Sequence, residues 1–152
     1  MKIRRYRSED KIKPLISRSV EDIDPEHYSE EQQSHLEEVI PEMNVGFAKE
    51  DRYHYFVALE DSEIVGVAGY QSESGTVTGI FVDPELKGSG IGSRLMDKIE
   101  EDARSEGLEE METLASLEPV GFYKKNGYKV IEEKKHDIEG KDIGIKVMKK
   151  KL

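Results

Sequence analysis

Cysteine is absent from the chain, and with it go disulfides, thiolate metal sites and any covalent intermediate on sulfur. No apolar stretch approaches the roughly 20 residues that cross a bilayer. The start, MKIRRYRSEDKIKPLI, is charged throughout and lacks the apolar core of a signal peptide. A soluble, cytoplasmic protein with no membrane partner is therefore expected. A basic excess is also missing: 23 Lys and Arg stand against 33 Asp and Glu, for a formal net charge of −10. A nucleic-acid binder needs a basic stripe to displace counterions from phosphates, so the balance argues against that class of partner. It leaves room for a small anionic ligand, because backbone N–H groups bind phosphate within an acidic protein.

What is present suffices for one core. The 152 residues are 36% hydrophobic and 37% charged, and runs such as YFVAL, IVGVAGY and GIFV are too strong for a disordered chain. A single domain over residues 1–152 is expected. KIRRYR alternates as a first strand, with Ile3 and Arg5 on one face. SEDKIKPLISRSV predicts a helix capped by Ser8, with Ile12, Leu15, Ile16 and Val20 as its stripe and Pro14 in its first turn. Ser29 to Gln32 forms a capping box that opens a second helix, with Leu36, Val39 and Ile40 inward and a stop at Pro41.

From Tyr53 the period changes. YHYFVALE, EIVGVAGYQ and GTVTGIFVD predict an antiparallel meander joined by the turns DS and SESG. A third helix follows, with Ile91, Leu95, Ile99 and Ala103 on one face and Gly107 closing it. LEEMETLAS is a strand, LEPVGFYKKNGY a short helix ended by Gly127, and YKVIEEKK and DIGIKVMKKKL the last two strands around the turn EGKD. The strand–loop–helix–strand unit in the middle implies one parallel pair in an otherwise antiparallel sheet, an α/β (α+β) fold.

Between the meander and the third helix lies KGSGIGS, with three glycines at alternate positions. A Rossmann fingerprint would need a third glycine where Ser93 stands, and no Gly-Lys-Ser/Thr follows to make a Walker loop. A plain turn usually needs one glycine. Gly88, Gly90 and Gly92 together, at a helix start, favour a phosphate cradle: the first N–H groups of the helix have no intrahelical acceptor and the helix dipole favours an anion there.

GIFVDPELKGSGIGSRLMDKIEEDA resembles the acetyl-CoA-binding motif of the GCN5-related N-acetyltransferases, with Lys87-x-x-Gly90-x-Gly92 matching its Arg/Gln-x-x-Gly-x-Gly/Ala loop. TLASLEPVGFYKKNGYKV resembles the second signature of that family, with Pro119 where alanine is common and Gly127-Tyr128 in place of Gly-Phe. The resemblance extends over essentially the whole chain. It implies a twisted, mostly antiparallel sheet of about seven strands flanked by about four helices and splayed between strands four and five. The pantetheine arm of acetyl-CoA would pair in that gap with backbone groups of Ile80, Phe81 and Val82. Lys87, Gly88, Ser89, Gly90, Ile91, Gly92 and Ser93 would hold its pyrophosphate, and Ser116 and Tyr123 would contact the cofactor. Gly79 reads as a bulge, a close approach or a small residue without special purpose.

The implied reaction is direct acetyl transfer to a primary amine of a small molecule or peptide, without a metal. Tyr123 matches the family's general acid, and a phenol pKa of roughly 10 is near enough to a thiol's roughly 8.5 for proton donation. Its other reading is a core aromatic beside Phe122. Glu112 is the first candidate for general base, with Glu73 and His54 next and water relayed to solvent as a further route. The alternation of Met111, Thr113 and Ala115 against Glu112 and Leu114 leaves open which face meets the substrate. A non-catalytic acyl-CoA sensor of the same fold is the competing reading. Family members are often dimers, so a homodimer is also implied.

Overall fold

A computed structural model describes residues 1–116, 119–138 and 140–152, apart from the side chains of residues 116, 136 and 138. Strands β1 (Lys2–Arg5), β2 (Tyr53–Glu60), β3 (Glu63–Gln71), β4 (Thr76–Val82), β5 (Glu110–Ser116), β6 (Lys129–Ile138) and β7 (Lys141–Lys151) form one sheet in the order β1-β2-β3-β4-β5-β7-β6. Helices α1 (Lys13–Glu21), α2 (Glu30–Ala48), α3 (Ile91–Ser105) and α4 (Val120–Lys125) flank it. Every neighbouring pair is antiparallel except β4 with β5. The mixed seven-strand sheet and four helices are those the sequence predicts.

Two apolar layers sandwich the sheet. Phe56, Ala68, Met111 and Tyr128 pack with Leu95, Met96 and Ile99 of α3 on one face. Tyr55, Val57, Val67, Ile143 and Ile145 pack with Leu15, Ile16 and Leu36 of α1 and α2 on the other. Successive strand residues point to opposite faces, so this division is the period-two pattern made spatial. It also resolves the faces of β5: Met111 and Ala115 belong to the α3 layer and Leu114 to the α1/α2 layer.

Two helix boundaries differ from expectation. Ser8 caps no helix. Arg4 forks onto Asp10 at 2.8 and 2.9 Å, Asp10 accepts from the Arg7 N–H at 2.7 Å, and this ties the segment to β1. Helix α1 therefore starts only at Lys13, with Pro14 in its first turn as predicted. Helix α2 keeps its capping box, Ser29 accepting from the Gln32 N–H at 3.1 Å and the Gln32 side chain accepting from the Ser29 N–H at 3.0 Å. It does not stop at Pro41 but runs on to Ala48. The lost Pro41 N–H costs one helical bond. Burial of Leu36, Val39, Pro41 and Asn44 along the inward face offsets it, and the Asn44 amide adds a bond to the Ile40 carbonyl at 3.0 Å.

The parallel pair is short. Only Thr76↔Glu112 and Val77↔Thr113 are in register; beyond them β4 stays with β3 and β5 stays with β7. A bulge between Gly69/Tyr70 and Gly79/Val77 breaks the β3–β4 register at the point where β4 leaves β5. It reverses the facing of β4: Val77, Ile80 and Val82 belong to the α3 layer, whereas Phe81 belongs to the other. Gly79 sits at this bulge, where a Cβ would run into the Phe81 ring and approach Asn44 Oδ1 at 3.1 Å. Among the described residues, no helix is long and apolar enough to cross a membrane.

Candidate active site

The parting of β4 and β5 opens a cleft of about 590 Å³, walled by Ile80, Phe81 and Val82 of β4, the 86–93 segment, the last turn of α1 and the face of α4. Past Val77, β4 has no pairing with β5. The main-chain groups of its second half that turn away from β3 thus lack a strand partner and remain available to a ligand.

The glycine loop ends at the start of α3. Gly88 has φ of +80° and Gly90 of +87°, a left-handed backbone that favours glycine. Gly90 caps α3 without any side-chain hydrogen bond. The N–H groups of Gly88, Gly90, Ile91, Gly92 and Ser93 have no acceptor among the described residues. Ser89 differs, for its N–H and its hydroxyl both reach the Leu86 carbonyl, at 3.2 and 2.5 Å. Gly92 serves closeness instead of torsion: a Cβ there would lie 2.9 Å from the Phe122 ring, which packs the loop against α4. These N–H groups, at the positive end of a 15-residue helix, form a site for an anion such as pyrophosphate.

Lys87 lines the cleft, and its ammonium lies 2.6 Å from Asp22 at the end of α1. It is thereby a strap between the loop and α1, a role the spacing of the motif does not reveal. Tyr123 also lines the cleft but is only 4% exposed. Its ring meets Phe122 and Tyr128 edge to face, with centroids 5.5 Å apart in each pair. Burial pushes its phenol above the ordinary range, and a hydrogen bond with Thr113 opposes that shift. Tyr123 is thus both a core aromatic and a cleft residue. Ser116 ends β5 opposite Ile145; its side chain lies outside the described residues.

None of the three candidate bases reaches the cleft. Glu112 pairs with Thr76 at the joined end of β4 and β5, away from the gap. Glu73 is in the turn before β4, its N–H bound to Gln71 at 2.8 Å. His54 points to the α3 side, where Asp102 holds it at 2.6 Å. No carboxylate or imidazole belongs to the described cleft wall. Sequence reasoning missed Ser19, Val20 and Ile23, which close the cleft from α1. It also missed Phe122 as the partner of Gly92. Nothing in the amphipathic stripe of α1 marks its last turn as a cleft wall.

Residues 24–152 match the model of the acetyltransferase (GNAT) domain. The chain belongs to the GNAT family. The GNAT fold is shared with a GCN5-related N-acetyltransferase from Rhodopseudomonas palustris, which is 24% identical with a TM-score of 0.90 over 99% of this chain and 95% of that one. It is shared also with the PaiA N-acetyltransferase of Thermoplasma acidophilum, solved in complex with coenzyme A, at 22% identity and a TM-score of 0.78 over 99% and 98% of the two chains. An uncharacterized protein of Bacillus subtilis, YxbD, is 28% identical over 79 residues, a match spanning half of this chain and half of that protein.

Proposed function

We propose that this GNAT protein binds acetyl-CoA in the β4–β5 cleft and transfers the acetyl group directly to a primary amine of a small molecule or peptide. The carrying observation is the row of unpartnered N–H groups at the start of α3, continuous with the unpaired edge of β4. Such a surface suits a ligand with an anionic end and an amide-rich arm. Acetyl-CoA supplies the activated acyl thioester when bound; the chain supplies everything else.

The loop N–H groups hold the pyrophosphate, and the free edge of β4 takes the amides of the arm. Ile80, Phe81, Val82, Ile91 and Phe122 make the cleft apolar, which strengthens each of those hydrogen bonds. In the reaction a C–N bond forms as the C–S bond breaks. The ammonium proton leaves to water, because no described carboxylate or imidazole lines the cleft. Tyr123 gives its proton to the departing sulfur, and the second proton released by the acylated nitrogen returns Tyr123 to its neutral form. Burial raises the phenol of Tyr123, which keeps it protonated and able to donate as negative charge develops on the sulfur.

A second reading, a non-catalytic acyl-CoA sensor, draws support from the lack of a carboxylate or imidazole among the described residues of the cleft wall. Calorimetry with acetyl-CoA and NAD, followed by a CoA-release assay over a panel of primary amines, separates the two. Acetyl-CoA binding with turnover on at least one amine is expected. Binding without turnover on any amine would favour the sensor, and failure to bind acetyl-CoA would remove both.

A further inference from the structure

The sheet leaves Thr78 of β4 without a strand partner. Gly79 pairs with Gly69 and Val77 with Tyr70, so Thr78 is the extra residue of the bulge and faces nothing on β3. It also stands just past Val77↔Thr113, the last pair between β4 and β5. The fork in the sheet therefore opens at Thr78. A bulge beside such an opening re-aims a side chain, and here that side chain carries a partly buried hydroxyl.

The hydrogen bonds behind it fix the direction of that hydroxyl. The Asn44 amide donates from Nδ2 to the Ile40 carbonyl at 3.0 Å, so Oδ1 is the atom it turns to Tyr55, and Oδ1 only accepts. The Tyr55 hydroxyl donates to that oxygen at 2.5 Å, and a phenol has a single proton to give. Burial pushes the Tyr55 phenol well above its ordinary range, so the proton stays on it. The 2.8 Å contact between Tyr55 and Thr78 then has Thr78 donating and Tyr55 accepting. No other hydrogen bond to Thr78 Oγ1 occurs among the described residues. Thr78 has committed its proton to the interior, and its oxygen offers the fork lone pairs only.

Position indicates which donor meets those lone pairs. The cradle lies beyond the C-terminal end of β4, and Thr78 lies four residues back from Val82, about 13 Å along the strand. A ligand anchored at the cradle and lying along Ile80–Val82 has its far end on the Thr78 side. The network is neutral throughout and ends in an amide bound to a carbonyl, so it has no group that keeps a proton. It orients a donor and does not act as a base. A primary amine is such a donor, for an acceptor on one N–H aims its lone pair at the thioester carbon. As the C–N bond forms, the nitrogen becomes positive. The same hydrogen bond is then charge-assisted, and it strengthens in the transition state.

We propose that Thr78 Oγ1 accepts a hydrogen bond from the substrate amine and orients it for attack, with Tyr55 and Asn44 as the residues that position the hydroxyl. The assignment rests on the acetyl-transfer reading and names the contact to the acceptor that reading leaves open. Tyr55 belongs to the α1/α2 layer, so the amine meets the fork on that side of the sheet. Asn44 is 1% exposed and reaches the bulge from α2. The space for its oxygen exists because residue 79 is glycine: a Cβ there would lie 3.1 Å from Asn44 Oδ1.

The test takes the primary amine with the highest kcat/KM in the CoA-release assay. Its kcat/KM, and its Kd for the CoA-loaded protein by calorimetry, are compared in the parent, Thr78→Val, Thr78→Ser and Tyr55→Phe. Thr78→Val keeps the shape and removes the oxygen. It should lower kcat/KM for the amine about 10- to 100-fold and weaken amine binding, with acetyl-CoA Kd unchanged. Thr78→Ser keeps the oxygen and should restore most of the loss. Tyr55→Phe releases the Thr78 proton and should weaken the amine without weakening acetyl-CoA. Parent-like amine Kd and kcat/KM in Thr78→Val would overturn the proposal. So would a loss confined to acetyl-CoA affinity, or a Thr78→Ser protein as impaired as Thr78→Val. A parent that binds no acetyl-CoA, or turns over no amine, would remove the acetyl-transfer reading itself and this contact with it.

Discussion

Gly90→Ala perturbs the cradle at the one residue that both turns the loop and caps α3. Its φ is +87°, and a Cβ there meets nothing within 4 Å. The substitution therefore adds no clash, and its whole effect is torsional. A left-handed backbone costs an alanine about 1–2 kcal/mol more than a glycine. The folded protein either bears that strain or relaxes the loop and turns its N–H groups away. If it relaxes, binding must restore the original torsion, and acetyl-CoA affinity falls by about 5- to 30-fold. If it does not, the strain lowers Tm instead, by about 2–8 °C. Calorimetry for affinity and differential scanning for Tm should show one loss or a division between them. Gly46→Ala is the control: Gly46 is helical in α2 with nothing within 4 Å of a Cβ, so alanine should stabilise by about 0.5–1 kcal/mol and leave affinity alone. A Gly90→Ala protein with both Tm and affinity of the parent would refute the cradle.

Tyr123→Phe should keep acetyl-CoA affinity and lower kcat by about 10²-fold or more; an unchanged kcat in a steady-state CoA-release assay would leave Tyr123 as a core aromatic only. Tyr55→Phe removes the hydroxyl that donates to Asn44 Oδ1 at 2.5 Å and lies 2.8 Å from Thr78 Oγ1. Asn44 is 1% exposed, so the orphaned oxygen should cost about 1–3 kcal/mol in urea unfolding. The hydrogen bond from Arg4 holds the Asp10 carboxyl below its ordinary range against the opposing effect of burial. The stability this contributes is complete above the unfolded pKa of about 3.9 and is lost as pH falls through the lower folded value. Urea midpoints measured down this acid limb should fall less steeply in Asp10→Asn than in the parent.

The central strands were readable because each is a short apolar run rich in β-branched and aromatic residues and bounded by turn residues. Thus YHYFVALE and EIVGVAGYQ predict β2 and β3, and the positive φ of Asp61 and Ser62 at 48° and 69° makes the tight turn between them. The loop at Gly88–Gly92 was readable because glycine reports a backbone demand directly. Pro41 misled because its local cost is outweighed by burial that only the assembled core provides. The placement of Glu112 and His54 away from the described cleft wall was not readable for a different reason. Residue type suggests a base, but facing depends on the short β4–β5 register and on the partner layer, and neither is encoded near the residue. The bulge at Gly79 shows the same limit. A glycine in a strand has several readings until the shift of Gly69 against Gly79 is seen.

The cradle and the gap are joined by topology and not by coincidence. A parallel neighbour cannot be reached by a hairpin; it needs a crossover, and here that crossover is α3. A helix that follows a strand must begin near the strand's C-terminal end, so the N–H groups of α3 start where β4 finishes. The β4–β5 pair is also the one that separates after two residue pairs, Thr76↔Glu112 and Val77↔Thr113, toward the C-terminal ends of both strands. The positive end of α3 and the unpaired edge of β4 thus face one opening, as ligand sites do at strand C-termini in other α/β sheets. An antiparallel β4–β5 pair, joined by a hairpin, would have placed no helix start at that opening.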